Sequence, residues 1–204
     1  MNITGGGTAG NEQLTSITGT ILLVLLAAVG VTIVRIGQLL WLHLFLGLLL
    51  IGPVILKIAS TSYRFARYYT RDPAYRRKGP PATLLRLIAP IIVVTTVLVF
   101  ASGIGLLIVG PADRGQLLLI HKVSFIVWVA FTSLHVLMHL PQMPTSMRAV
   151  RGANPNLPGQ QTGAAGRWIS IAGAIAAGLV LAIVLIPDFA TWTAHTALLH
   201  HHHH

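Results

Sequence analysis

The sequence predicts an all-α membrane protein: five transmembrane helices, the first four forming a four-helix bundle and the fifth peripheral to it. Three observations predict it. Of 204 residues only 9% are charged and 54% are hydrophobic, with mean hydropathy +0.75, whereas a soluble domain carries roughly 25% charged residues. Five apolar stretches each approach the ~20 residues that a helix needs to cross a bilayer core. The basic residues gather in alternate connections between those stretches.

Residues 1–15 (MNITGGGTAGNEQLT) lack the basic start of a signal sequence and are expected to be a disordered lead-in. The transmembrane core is expected over 16–140, with spans at 16–34, 38–59, 84–109 and 117–140. The turn at 35–38 is so short that the first two spans must be antiparallel neighbours. Pro53 and Pro90 fall inside spans and are expected to kink them. Pro111-Ala112-Asp113 separates spans three and four, and Pro141 ends the fourth. A cytoplasmic loop is expected over 141–166, the fifth span within 167–188 (apolar over 168–187), and an outer tail over 189–204. The terminal run 200–204 has the composition of a purification tag and is set aside.

Charge sets the expected orientation. Arg64, Arg67, Arg71, Arg76, Arg77 and Lys78 lie between spans two and three, and Arg148, Arg151 and Arg167 between spans four and five. The opposite side shows Arg35, Arg114 and nearby Lys122. The basic connections are expected to be cytoplasmic, the N-terminus inside and the C-terminus outside. Topology and contact with anionic membrane lipid account for this charge, so nucleic acid is not an expected partner. The carboxylates Glu12, Asp72, Asp113 and Asp188 lie in loops or at ends, which argues against an ion-coupled transporter or proton pump. Absence of cysteine excludes disulfides, thiolate metal sites, iron–sulfur clusters and covalently attached haem.

The remaining chemistry lies in the histidines His43, His121, His135, His139 and His195. Fourteen helical residues rise about 21 Å and return to within about 40° of the starting direction. His121 and His135 therefore share one face of span four at different depths, and His139 shares it too. Spans two and four run the same way, so His43 and His121 fall at similar depth and can face each other. Two imidazoles on facing helices are what a six-coordinate haem needs. Packing roles for His135 and His139 stay open, with His139 close to the interface and His195 beyond the last span. A haem-free metal carrier or structural subunit also stays open, since imidazole suits zinc and copper.

In topology and histidine spacing, residues 16–140 resemble the four-helix b-type cytochromes of membranes, the family that includes the haem-bearing half of cytochrome bc complexes. The resemblance implies a haem b held by His43 and His121, and a second haem near His135. It implies that Gly30, Gly103 and Gly105 let a porphyrin edge approach the backbone. The family pattern calls for a histidine 14 residues after His43, where this chain has Lys57. Lys57 is left three roles: reaching the interface, pairing with a propionate, or ligating iron opposite His135. His135 and His139 could instead form a second metal site. Arg35, Arg114 and Lys122 are either interfacial anchors or propionate partners. The implied function is electron transfer through haem b, with a quinone or a redox partner protein, in a bacterial cytoplasmic (inner) membrane; a homodimer is open. The alternative is an oxidoreductase acting directly on a small outer substrate such as superoxide, a ferric chelate or a quinone.

Overall fold

The computed structural model describes residues 7–77, 83–139 and 163–201, excepting the side chains of Thr83, His139 and residues 195–201. Lys78, Pro141, Arg148, Arg151 and most of the expected 141–166 loop lie outside the described residues. The elements are α1 (Gly7–Val34), α2 (Ile36–Tyr69), α3 (Pro73–Arg77), α4 (Thr83–Val109), α5 (Gly115–His139), α6 (Ala164–Val184) and α7 (Ile186–His201). Helices α1, α2, α4, α5 and α6 are long and apolar enough to cross a membrane. The protein is an all-α, multi-pass membrane protein, and its spans stand where hydropathy puts them.

The two ends differ from expectation. Residues 7–15 are helical, not disordered, because their polar side chains have partners on α2. Asn11 donates to the Ser60 carbonyl at 3.2 Å, Thr15 Oγ1 donates to Ser60 Oγ at 3.2 Å, and Glu12 pairs with Arg64 at 3.8 Å. The expected outer tail is likewise a helix, α7. Pro187 and Asp188 in its first turn suit a helix N-terminus, the first by its fixed φ and the second by its charge. Phe189, only 1% exposed, packs with Leu48 of α2, Leu107 of α4 and Ala182 of α6. Trp192 Nε1 donates to the Leu106 carbonyl at 3.2 Å, and Trp41 meets Phe189 edge-on at 5.9 Å. So α7 ties the ends of α2 and α4 together.

Arg35 alone separates α1 from α2, which places the two helices antiparallel. The break in helical dihedrals within α2 falls at Leu39 (φ −113°, ψ 20°) rather than at Pro53, which is buried with helical geometry around it. At the end of α4, Gly110 adopts φ 78° and donates to the Leu106 carbonyl at 3.0 Å. Pro111 follows and cannot continue the helix, so α5 returns along α4.

Among the described glycines, the tightest backbone approach joins α2 to α6. A Cβ on Gly52 would stand 1.9 Å from the Ala174 carbonyl oxygen, and one on Gly178 would stand 2.1 Å from that of Leu49. The hydrogens in those places therefore aim at carbonyls of the facing helix, reciprocal Cα–H···O contacts worth ~0.5–1 kcal/mol each. In lipid, where apolar side chains gain little by leaving their surroundings, such packing drives helix association. Ala174, Gly178 and the fully buried Ala182 repeat every fourth residue and give α6 a smooth face. The fifth span thus lies outside helices 1–4, locked to the α1–α2 side. Helix α5 packs extensively against α4 and at most sparsely against the other described helices.

Candidate paired-histidine site

His43 lies about two turns into α2. Its Nδ1 is 2.9 Å from Oγ1 of Thr32 on α1, a residue with no exposed surface. The Thr32 hydroxyl hydrogen is committed to the Val29 carbonyl at 2.6 Å. Toward His43 the hydroxyl is therefore an acceptor, so His43 carries its proton on Nδ1 and its Nε2 has a free lone pair.

His121 lies about two turns into α5 and repeats this arrangement on the other hairpin. Its Nδ1 is 3.0 Å from the Val99 carbonyl and 3.1 Å from Ser102 Oγ, both on α4. Ser102 donates its own hydrogen to the Leu98 carbonyl at 2.5 Å, with Val99 a second acceptor at 3.1 Å. Both groups facing His121 Nδ1 are acceptors, which again leaves Nε2 unprotonated. The two imidazoles are close enough for their charges to interact. The site therefore consists of two imidazoles, one on α2 and one on α5, each held at Nδ1 by the adjacent helix of its own hairpin.

Sequence reasoning found the two histidines and missed Thr32 and Ser102. The available signal was a hydroxyl on each neighbouring span, since an intramembrane imidazole needs an acceptor for its proton. The three glycines named from the resemblance have different surroundings. A Cβ on Gly103 would come within 3.2 Å of His121 Cε1, so this glycine seats the imidazole itself. Gly105 faces Leu117 of α5 and serves hairpin packing. Gly30 on α1 faces open space, as does Gly47, one turn along α2 from His43 and unmarked in the sequence reading.

Lys57, where a second α2 histidine was expected, turns to α1. Its Nζ donates to the Thr15 carbonyl at 2.7 Å and lies 3.0 Å from where a Gly19 Cβ would be. Ser60 Oγ bonds the Lys57 carbonyl at 3.0 Å and also receives Thr15, so Lys57 belongs to the polar ladder that pairs α1 with α2. This contact gives Lys57 a helix-pairing role, and it explains why a lysine is tolerated at that depth. His135 is half-buried further along α5, and the side chain of His139 lies outside the described residues. Arg114 is half-buried and Lys122 and Arg35 are exposed at the His43–His121 end; among the described residues none of the three pairs with a carboxylate.

Among the described residues no group of three or more His, Asp or Glu side chains converges. A bare zinc or copper ion asks for three or four protein donors. Two imidazole nitrogens suit a metal whose remaining positions are filled by another group, as iron's are in a haem. Comparison with known family models, curated proteins and solved structures returns no match.

Proposed function

We propose that the chain is a membrane b-type cytochrome, holding one haem b between His43 and His121 and exchanging electrons with a quinone or a redox partner protein. One observation carries this reading: two imidazoles within electrostatic reach of each other both hold Nδ1–H against an acceptor of the adjacent helix, which leaves each Nε2 available as a ligand. Haem b, when bound, supplies one-electron chemistry at its iron. Thr32 and the Ser102–Val99 pair fix ring rotation and raise the electron-donating power of each Nε2. Arg35, Arg114 and Lys122 supply positive charge at the end where the propionates of such a group would emerge. The basic ends of the helices are assigned to the cytoplasmic side of a bacterial inner membrane, with the N-terminus there and the C-terminus opposite.

The test is optical. Purified protein is expected to show a Soret band and a sharp reduced α-band at about one haem per chain; a colourless protein ends the proposal. Thr32→Val then removes the sole acceptor described for His43 Nδ1. It is expected to weaken haem binding by roughly 10–100-fold and to raise the midpoint potential, because a poorer donor favours ferrous iron. Ser102→Ala leaves the Val99 carbonyl in place and is expected to do less on both counts, as read by haem titration and redox potentiometry.

A further inference from the structure

Helix α2 is 34 residues long, about 51 Å, and outlasts the ~30 Å hydrocarbon core. Its last turns, STSYRFARYY, bring Arg64 and Arg67 together with exposed Tyr63, Phe65 and Tyr69. Aromatic rings of this kind settle at headgroup depth. The chain then reverses through Arg71, at φ 64°, and Asp72.

Asp72 does three things there. Its backbone N–H donates to the Arg67 carbonyl at 3.1 Å, one carboxylate oxygen accepts the Ala74 N–H at 2.9 Å, and the other pairs with the Arg67 guanidinium. That guanidinium lies 5.9 Å from the ring centre of Tyr63 and 6.0 Å from that of Tyr75, and the two rings meet edge-on at 6.2 Å. Tyr75 is buried, and burial pushes its phenol above its ordinary value, so a neutral ring fills the position. Helix α3 is thereby fastened to α2, and its arginines sit on a fixed ledge.

The chain has four carboxylates, of which Asp113 and Asp188 lie at the opposite end. The other two, Glu12 and Asp72, pair with Arg64 and Arg67. Arg71, Arg76 and Arg77 are exposed and have no carboxylate partner among the described residues. Arg71 moreover holds a left-handed conformation that glycine adopts freely and arginine does not. A guanidinium kept against its backbone preference, beside two more on a rigid ledge at headgroup depth, is complementary to phosphate. We infer that this ledge binds the headgroups of anionic phospholipids, and that the three unpaired arginines carry the selectivity. The inference is independent of the haem reading.

Full-length protein in detergent, titrated with phosphatidylglycerol or phosphatidylcholine of matched acyl chains and read by native mass spectrometry, tests it. Wild type is expected to prefer phosphatidylglycerol. A triple variant, Arg71→Gly with Arg76→Gln and Arg77→Gln, is expected to lose roughly fivefold in that preference per guanidinium removed. Glycine suits the Arg71 backbone, so that change does not threaten the turn. Arg76→Lys with Arg77→Lys keeps the charge and should keep the preference. Equal binding of both lipids by wild type overturns the inference and leaves an acidic protein surface as the partner. An unchanged preference in the triple variant overturns it as well.

Discussion

Replacing either His43 or His121 by alanine is expected to abolish the same six-coordinate, low-spin haem signal. The two rings stand on separate hairpins, and on the proposed reading each would supply one Nε2 to the haem. Losing either leaves the other ring in place with nothing opposite it, so the two variants should have one phenotype. The loss should exceed the roughly 10–100-fold that removing a supporting hydrogen bond costs. His135→Ala and Lys57→Ala are expected to retain that signal, the latter because Lys57 is bonded to α1. Haem-to-protein ratio and the low-temperature spectrum of each variant decide this, with size-exclusion elution as the folding control. Full low-spin haem in both His43→Ala and His121→Ala would show that the ligands lie elsewhere.

The second large effect concerns stability. Gly178→Ala forces a methyl to within 2.1 Å of the Leu49 carbonyl, a backbone atom that cannot swing aside. The helices must separate, at a cost of about 3 kcal/mol or more. For a chain of this size that corresponds to a fall of roughly 6–12 °C in apparent melting temperature. Gly173→Ala, on the same helix, meets nothing within 4 Å. Alanine is the better helix former by ~1 kcal/mol, so that variant is expected to melt at or slightly above wild type. Thermal melts of the two variants in one detergent make the comparison; similar melting points would refute the backbone contact.

The spans were legible because the bilayer imposes a length and a composition that hydropathy reads directly. That His43 and His121 come within electrostatic reach of each other was legible because helix direction and rise set depth. Two losses have a common physical origin. Reading 1–15 as disordered removed Asn11, Glu12 and Thr15 from consideration, and these hold the α1–α2 ladder in which Lys57 sits. Lys57 was therefore left between the interface, a propionate and iron, when the rotation of α2 about its own axis points it at α1. Rotation is fixed by partners, and hydropathy carries little information about it when a helix is apolar all round. The helix beyond residue 188 was missed for a related reason. Phe189 and Trp192 acquire their burial from α2, α4 and α6 jointly, a convergence that no local pattern in the tail encodes.

The α2–α6 contact also imposes an order on biogenesis. Gly52 and Gly178 are more than a hundred residues apart in the chain, and the whole α4–α5 hairpin is made between them. While the ribosome is still translating that hairpin, the glycine groove of α2 has only lipid to face. Both imidazoles and their hydroxyl partners, by contrast, lie in the first four spans and have all been synthesised before α6 emerges. The paired-histidine site is thus available to assemble first, and α6 arrives as a late clamp on the helix that carries His43.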